Sequence, residues 1–205
     1  MGPIESPSRR QVDARRALNK IAFAQAGYFS AAQAREVGYS YQAQKYHVDR
    51  GNWMRVWRGI FRLPEWPGEA TDSLALWSVW SGGRGVISHE SALAVHELSD
   101  VNPVKVHLTV PHGFRAKSEA VRTHPSELPP EDVEMRSGFL ATSVERTLFD
   151  VAAVGLSQDM IDAAVREAVE AGSATVRRLR RRAASAPDKA ALGIERALSL
   201  LEQGK

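Results

Sequence analysis

The chain contains no cysteine. Disulfides are excluded, and so are zinc and iron–sulfur sites built on thiolates; a reducing cytoplasm is the expected compartment. No apolar run approaches the length of a membrane span, so no membrane partner is expected. The opening residues, MGPIESPSRR, have no apolar core and do not read as a secretory signal. Catalytic signatures are missing as well. There is no HExxH helix, no phosphate-cradling glycine loop and no nucleophile elbow. No catalytic residue, metal ligand set or cofactor is therefore assigned.

What is present is a globular composition with uneven charge. Hydrophobic residues make up 43% and charged residues 25% of 205, enough for a packed core. The net charge of +3 conceals a head of +6 over residues 1–65, a middle of −8 over 66–172 and a tail of +5 over 173–205. A basic head suits a polyanion, because Lys and Arg that neutralise phosphates release condensed counterions. An acidic middle is ill-suited to lie along DNA.

The head follows a helical pattern with interruptions. Residues 13–26 space Leu18, Ile21, Ala22 and Gln25 as one face, with Asp13 as N-cap and Gly27 as stop. Ser30 and Gln33 form a capping box that starts a second helix, ending at Gly38. Ser40 caps a third, from Tyr41 to about Arg50. Two short helices across a Gly-containing turn form a helix-turn-helix, whose second member can enter the major groove. WMRVWRGIFRLP then alternates Trp53, Val56 and Ile60-Phe61 with Arg55, Arg58 and Arg62, turning at Gly59. That is a wing with basic residues to meet a phosphate backbone; a solvated amphipathic hairpin is the plainer alternative.

Within the third helix, Ala43, His47 and Val48 are expected inward, with His47 a structural histidine and Gln44 ambiguous. Tyr41, Gln42, Lys45 and Tyr46 are expected outward as base-contacting residues, since Gln matches adenine and Lys the guanine acceptors. Ser30, Ser40, Arg50, Arg55, Arg58 and Arg62 are expected on the DNA backbone.

The middle reads as a mixed α/β domain. DSLALWSVWS (72–81) and Ser88–Leu98 are helical, and VKVHLTV places Val104, Val106, Leu108 and Val110 on one strand face. Short strands follow around 120–123, 133–136 and 139–141. His89 and His96 could share a helix face, but one pair specifies no metal site. Arg146 and Asp150 are spaced for an intrahelical ion pair. The tail holds three helical patterns, 157–171, 173–184 and 188–201, with Leu192, Ile194, Leu198 and Leu201 as docking residues. Its middle helix packs Arg177, Arg178, Arg180, Arg181 and Arg182 into six residues, a candidate patch for nucleic acid or a partner, or else a solvated face.

The expected fold class is thus α+β. An N-terminal winged helix-turn-helix (1–66) precedes a mixed α/β domain (67–155) and a helical C-terminal segment packed on it (156–205). As an ordered set, the motifs resemble the AbiEi family, antitoxins of bacterial abortive-infection toxin–antitoxin pairs. The resemblance rests on Gly38-Tyr39-Ser40, Arg50-Gly51 and Arg55 through Gly59-Ile60-Phe61-Arg62-Leu63. It continues through VISHESALAVHEL, with its helix from Ser88 to Leu98, then KVHLTVP, and finally LATSVERTLFDVAA from Ser143 to Ala153, covering about residues 16–155. It implies a protein that binds double-stranded DNA, at operator repeats in its own promoter, and represses its own operon. It also implies counteraction of a cognate nucleotidyltransferase-type toxin through the C-terminal part. Tyr41, Gln42 and Gln44 stand where relatives commonly carry arginine or leucine, which bears on operator sequence. A stand-alone winged-helix regulator and, further off, a DNA-directed nuclease are the alternatives.

Overall fold

The computed structural model describes residues 9–68 and 71–203. The fold is α+β, with two sheets. The described residues form two compact units. One runs up to Gly83 and includes Ser137–Phe139; the other comprises Arg84–Arg136 and residues from Leu140 onward. Among the described residues, no helix is long and apolar enough to cross a membrane.

The first unit is a winged helix-turn-helix. Helices α1 (Arg9–Phe23), α2 (Ala31–Glu36) and α3 (Tyr41–Asp49) combine with strands β1 (Tyr28–Ser30), β2 (Met54–Trp57) and β3 (Ile60–Arg62), in sheet order β1-β3-β2. The capping box forms in full. Ser30 Oγ accepts from Gln33 N at 3.1 Å, and Ser30 N donates to Gln33 Oε1 at 2.8 Å. Ser40 Oγ accepts from Ala43 N at 3.2 Å and starts α3. Asp13 does not cap α1; it lies inside the helix, because no Gly or Pro interrupts residues 9–23. The helix closes at Phe23, four residues before Gly27, in a turn whose Ala26 and Gly27 both have positive φ.

The core of this unit is Leu18, Ala22, Phe29, Ala34, Trp53 and Phe61. Phe29 is fully buried and meets Trp53 edge-on at 4.9 Å between ring centroids. Helix α4 (Asp72–Trp80) belongs to this unit too, packing on β1 and β3. Residues 72–80, grouped by sequence with the α/β domain, are thus part of the head's packing. Trp77 meets Trp57 at 5.3 Å.

The second unit is built on a five-stranded sheet of order β6-β5-β4-β8-β7. Its strands are β4 (Val86–Ile87), β5 (Val106–Val110), β6 (Val121–Pro125), β7 (Val133–Arg136) and β8 (Phe139–Thr142). β4 runs antiparallel to β5 and parallel to β8, and β5 runs parallel to β6. Val104 is not on the strand; it is 98% exposed in the preceding loop. His107 through Val110 are all buried, so both faces of β5 are covered and the alternation in the sequence marks no solvent face.

Helices α5 (His89–Val95), α6 (Val144–Val154), α7 (Gln158–Glu170), α8 (Val176–Ala183) and α9 (Asp188–Gln203) complete the unit. One apolar cluster joins them through Leu93, Leu148, Val165, Leu179, Ile194 and Leu198. The three tail helices therefore share a core with the α/β domain. Leu192 is 72% exposed and takes no part, because helical spacing turns it away from the buried Ile194 and Leu198 face.

Candidate nucleic-acid interface

Helix α3 is anchored by Gln44, the residue whose direction the sequence leaves open. It is buried, and its Nε2 donates to Ala31 O at 3.1 Å and Tyr39 O at 3.2 Å. One side chain thus ties α3 to the start of α2 and to the turn between them. Ala43, His47 and Val48, expected at the core, are only half-buried. His47 stacks on Trp53 at 4.7 Å, and burial lowers its pKa, which suits a neutral structural imidazole.

With Gln44 turned in, Tyr41, Gln42, Lys45 and Tyr46 are all exposed. Arg35 Nη1 donates to Tyr41 Oη at 3.0 Å, and its guanidinium sits over the Tyr41 ring at 4.8 Å. Arg50 lies over Tyr46 at 5.4 Å. Lys45 pairs with Asp49 at 2.6 Å, an exposed i,i+4 pair of small worth that phosphate can displace. Arg35 was not singled out from the sequence, where it reads only as a helix C-terminal cation. Nor were Arg10 and Arg15 of α1, which line an open groove of about 790 Å³ with Tyr39, Gln42 and Tyr46. Only packing of α1 beside α3 brings those residues together.

The wing divides its arginines. Arg55 and Arg58 are exposed, Arg55 lying over Phe61 at 5.6 Å. Arg62 is turned inward: its Nη2 pairs with the buried Asp72 at 3.1 Å, and its guanidinium covers Tyr28 at 5.1 Å. Its assignment to the DNA backbone is corrected; Arg62 fastens α4 to the wing sheet. Every Lys and Arg from Arg9 to Arg58 is exposed. Ser30 and Ser40, expected at phosphate, have side chains engaged as helix caps.

The arginine run of α8 has a different fate. Arg182 makes a bidentate pair with Asp132, both contacts 2.6 Å, and Arg146 reaches the same carboxylate at 3.2 Å. Arg178 pairs with Glu145 at 2.6 Å, and Arg180 with Glu195 at 3.5 Å and Glu202 at 2.9 Å. Of the five, only Arg177 and Arg181 are exposed without an ion pair among the described residues. The five do not form one open patch, since three are spent on carboxylates of their own unit. Burial raises the Asp132 pKa, but the Arg182 and Arg146 hydrogen bonds outweigh it and hold the carboxyl below its ordinary value. The Arg146–Asp150 pair forms at 2.7 Å. Burial nonetheless pushes the Asp150 pKa up, because one oxygen is buried without a hydrogen-bond partner.

The histidines are regrouped. His96 does not share a site with His89. Arg136 donates to its Nδ1 at 2.8 Å, so its Nε2 carries the proton and donates to Thr142 O at 2.7 Å. His89, His107 and His124 converge instead, their nearest ring nitrogens all within 4.8 Å. His124 was not considered from sequence; only the pairing of β5 with β6 brings it to His107. Burial lowers all three pKa values, that of His89 to about 2 and that of His124 to about 4.

No family model and no curated protein matches the chain. Among solved structures, it is similar to the RV2827C protein from Mycobacterium tuberculosis, with a TM-score of 0.58 at 14% identity, over 96% of this chain and 80% of that one. That likeness extends the shared fold across nearly the whole chain.

Proposed function

We propose that this protein is a cytoplasmic, DNA-binding autorepressor of the AbiEi antitoxin kind, reading operator repeats at its own promoter through α3 and the wing. The observation that carries the reading is the partition of the head. Gln44 anchors α3 from within, while Tyr41, Gln42, Lys45 and Tyr46 are exposed on that helix and Arg55 and Arg58 are exposed on the wing of the same unit. A helix presented in this way fits the major groove, and flanking basic residues supply the phosphate contacts that set register. Arg10, Arg15, Arg35 and Arg50 extend the basic surface around it. Counteraction of a nucleotidyltransferase-type toxin is assigned to the second unit, on the sequence resemblance and on its being a compact unit of its own.

The test is fluorescence anisotropy of the full chain on duplex from its own promoter against random duplex, across salt. Neutralising four to six phosphates gives a log–log slope of roughly −4 to −5. No binding, or a slope near zero, overturns the DNA reading. For the antitoxin role, the chain is co-expressed with the toxin encoded beside its gene. Growth rescue is expected to survive Arg55→Ala/Arg58→Ala, and absence of rescue by the wild-type chain overturns that role.

A further inference from the structure

His89, His107 and His124 come from three different elements of the second unit, and neither DNA reading nor the charge network uses them. His89 opens α5 with φ of 52°, a left-handed conformation that non-glycine residues seldom hold without compensation. His107 lies in β5 and His124 in β6. The parallel register sets His107 against Arg122 and Thr109 against His124. His107, Thr109 and His124 therefore stand on one face of the sheet.

One pair of nitrogens already stands at coordination spacing, and all three lie within 4.8 Å of one another. His107 Nδ1 and His124 Nε2 are 3.3 Å apart. Two nitrogens bound tetrahedrally at the usual zinc–imidazole distance would be separated by about 3.3 Å. His89 stacks on His124 with centroids 3.6 Å apart and rings 16° from parallel, so one of the two rings must turn for their in-plane lone pairs to meet at a shared ion. His89 Nδ1 is engaged by Ser88 Oγ at 2.9 Å, which orients the ring and leaves Nε2 for another partner. A hydrogen bond to the non-ligating nitrogen is the usual outer support of a metal-binding histidine. Thr109 Oγ1, buried on the same face, has no hydrogen-bond partner, so a polar group beside His124 is left unsatisfied by protein.

A hydrogen-bonded histidine cluster explains this less well. Each neutral imidazole has one N–H and one lone pair, so a mutual network of three rings satisfies few of them. We propose that His89, His107 and His124 bind one divalent transition-metal ion of the zinc class, with a fourth position reached from the half-exposed His124 side. Imidazole donors suit zinc, cobalt and nickel, and disfavour magnesium and calcium. Glu90 contributes negative potential near His107. Arg122 and Arg146 contribute the opposite, though Arg146 is already matched by Asp132 and Asp150. Bound metal would clamp the start of α5 to β5 and β6 and stabilise the unit by mass action.

The experiment uses the full chain, stripped with chelator and titrated with Co(II) followed by visible absorption, then displaced by Zn(II). One equivalent per chain and a rise in Tm with Zn(II) but not Mg(II) are expected. His124→Ala, on an edge strand, should lose affinity by about 100-fold or more, the upper end of what removing even an outer partner of a ligating histidine costs. His112→Ala, which alters an exposed histidine just beyond β5, should bind as wild type. Absence of a Co(II) spectrum, or equal affinity in His124→Ala and wild type, overturns the site. Should His124→Ala fail to fold, X-ray absorption of the zinc-loaded wild-type chain decides; fewer than three imidazole ligands overturns it.

Discussion

The wing and helix α8 are both arginine-rich, yet the fold spends their charge in opposite ways. Arg55 and Arg58 of the wing stand exposed, free of carboxylate partners among the described residues. Arg178, Arg180 and Arg182 of α8 are committed to Glu145, Glu195, Glu202 and Asp132. In the second unit, carboxylates of the acidic middle and arginines of the basic tail thus match one another within one compact unit. A run of like charge in sequence is a nucleic-acid signal only when the fold brings no carboxylates to meet it. Arg62 shows the same rule inside the wing, where one buried aspartate removes an arginine from the surface.

The sharpest way to break the comparison is Asp132→Ala. It strips the shared carboxylate from Arg146 and Arg182, whose side chains are 17% and 27% exposed. Breaking a buried pair from one side costs about 3–5 kcal/mol, so urea unfolding should show a loss of that order. DNA affinity measured below the melting range should not change. A stability loss under about 1 kcal/mol would mean that α8 is merely solvated.

Acid should weaken the metal-free second unit in two stages. His89 is held neutral with its pKa near 2, while the unfolded chain protonates it near 6.5. The unfolded state then binds more protons between those values, so stability falls as pH drops below 6.5, by up to about 1.4 kcal/mol per pH unit for that group. Asp132 works in the same direction lower down: its folded pKa is depressed, and its contribution is lost as pH falls below about 3.8. Urea midpoints that stay flat from pH 7 to 5 would show that the histidines are not buried neutral.

Within α3, Gln44→Ala and Gln42→Ala separate anchoring from reading. Gln44→Ala leaves the Ala31 and Tyr39 carbonyls without their side-chain donor and should cost about 1–3 kcal/mol of stability. Gln42→Ala should leave stability within about 0.5 kcal/mol, and reduce discrimination between operator and random duplex by about 1–3 kcal/mol. Equal losses on both duplexes would remove Gln42 from base reading.

The smallest difference falls on single exposed arginines. Arg58→Ala should reduce the magnitude of the salt slope by about 1, and Arg181→Ala should leave it unchanged. An equal change from both would erase the distinction between wing and α8.

Local chemistry was legible in the sequence wherever one residue type decides a conformation. Ser30 with Gln33, and Ser40, start their helices as their hydrogen bonding requires, and Gly59, with φ of 70°, makes the wing turn. The outward set Tyr41, Gln42, Lys45 and Tyr46 followed from helical periodicity, which needs no knowledge of the partner face. Periodicity placed His47 inward but left Gln44 open, because a buried glutamine requires acceptors that only the α2–α3 crossing provides. Nor could it pair Arg62 with Asp72, Arg182 with Asp132, or His124 with His89 and His107, residues 10, 50 and 35 or fewer positions apart. Sequence alone determined the α+β class, the caps, the turns and the basic head, since these follow from spacing and side-chain type. Tertiary structure decided which charges remain for a ligand and which histidines meet, since a long-range ion pair or a ligand cluster depends on strand register and helix packing.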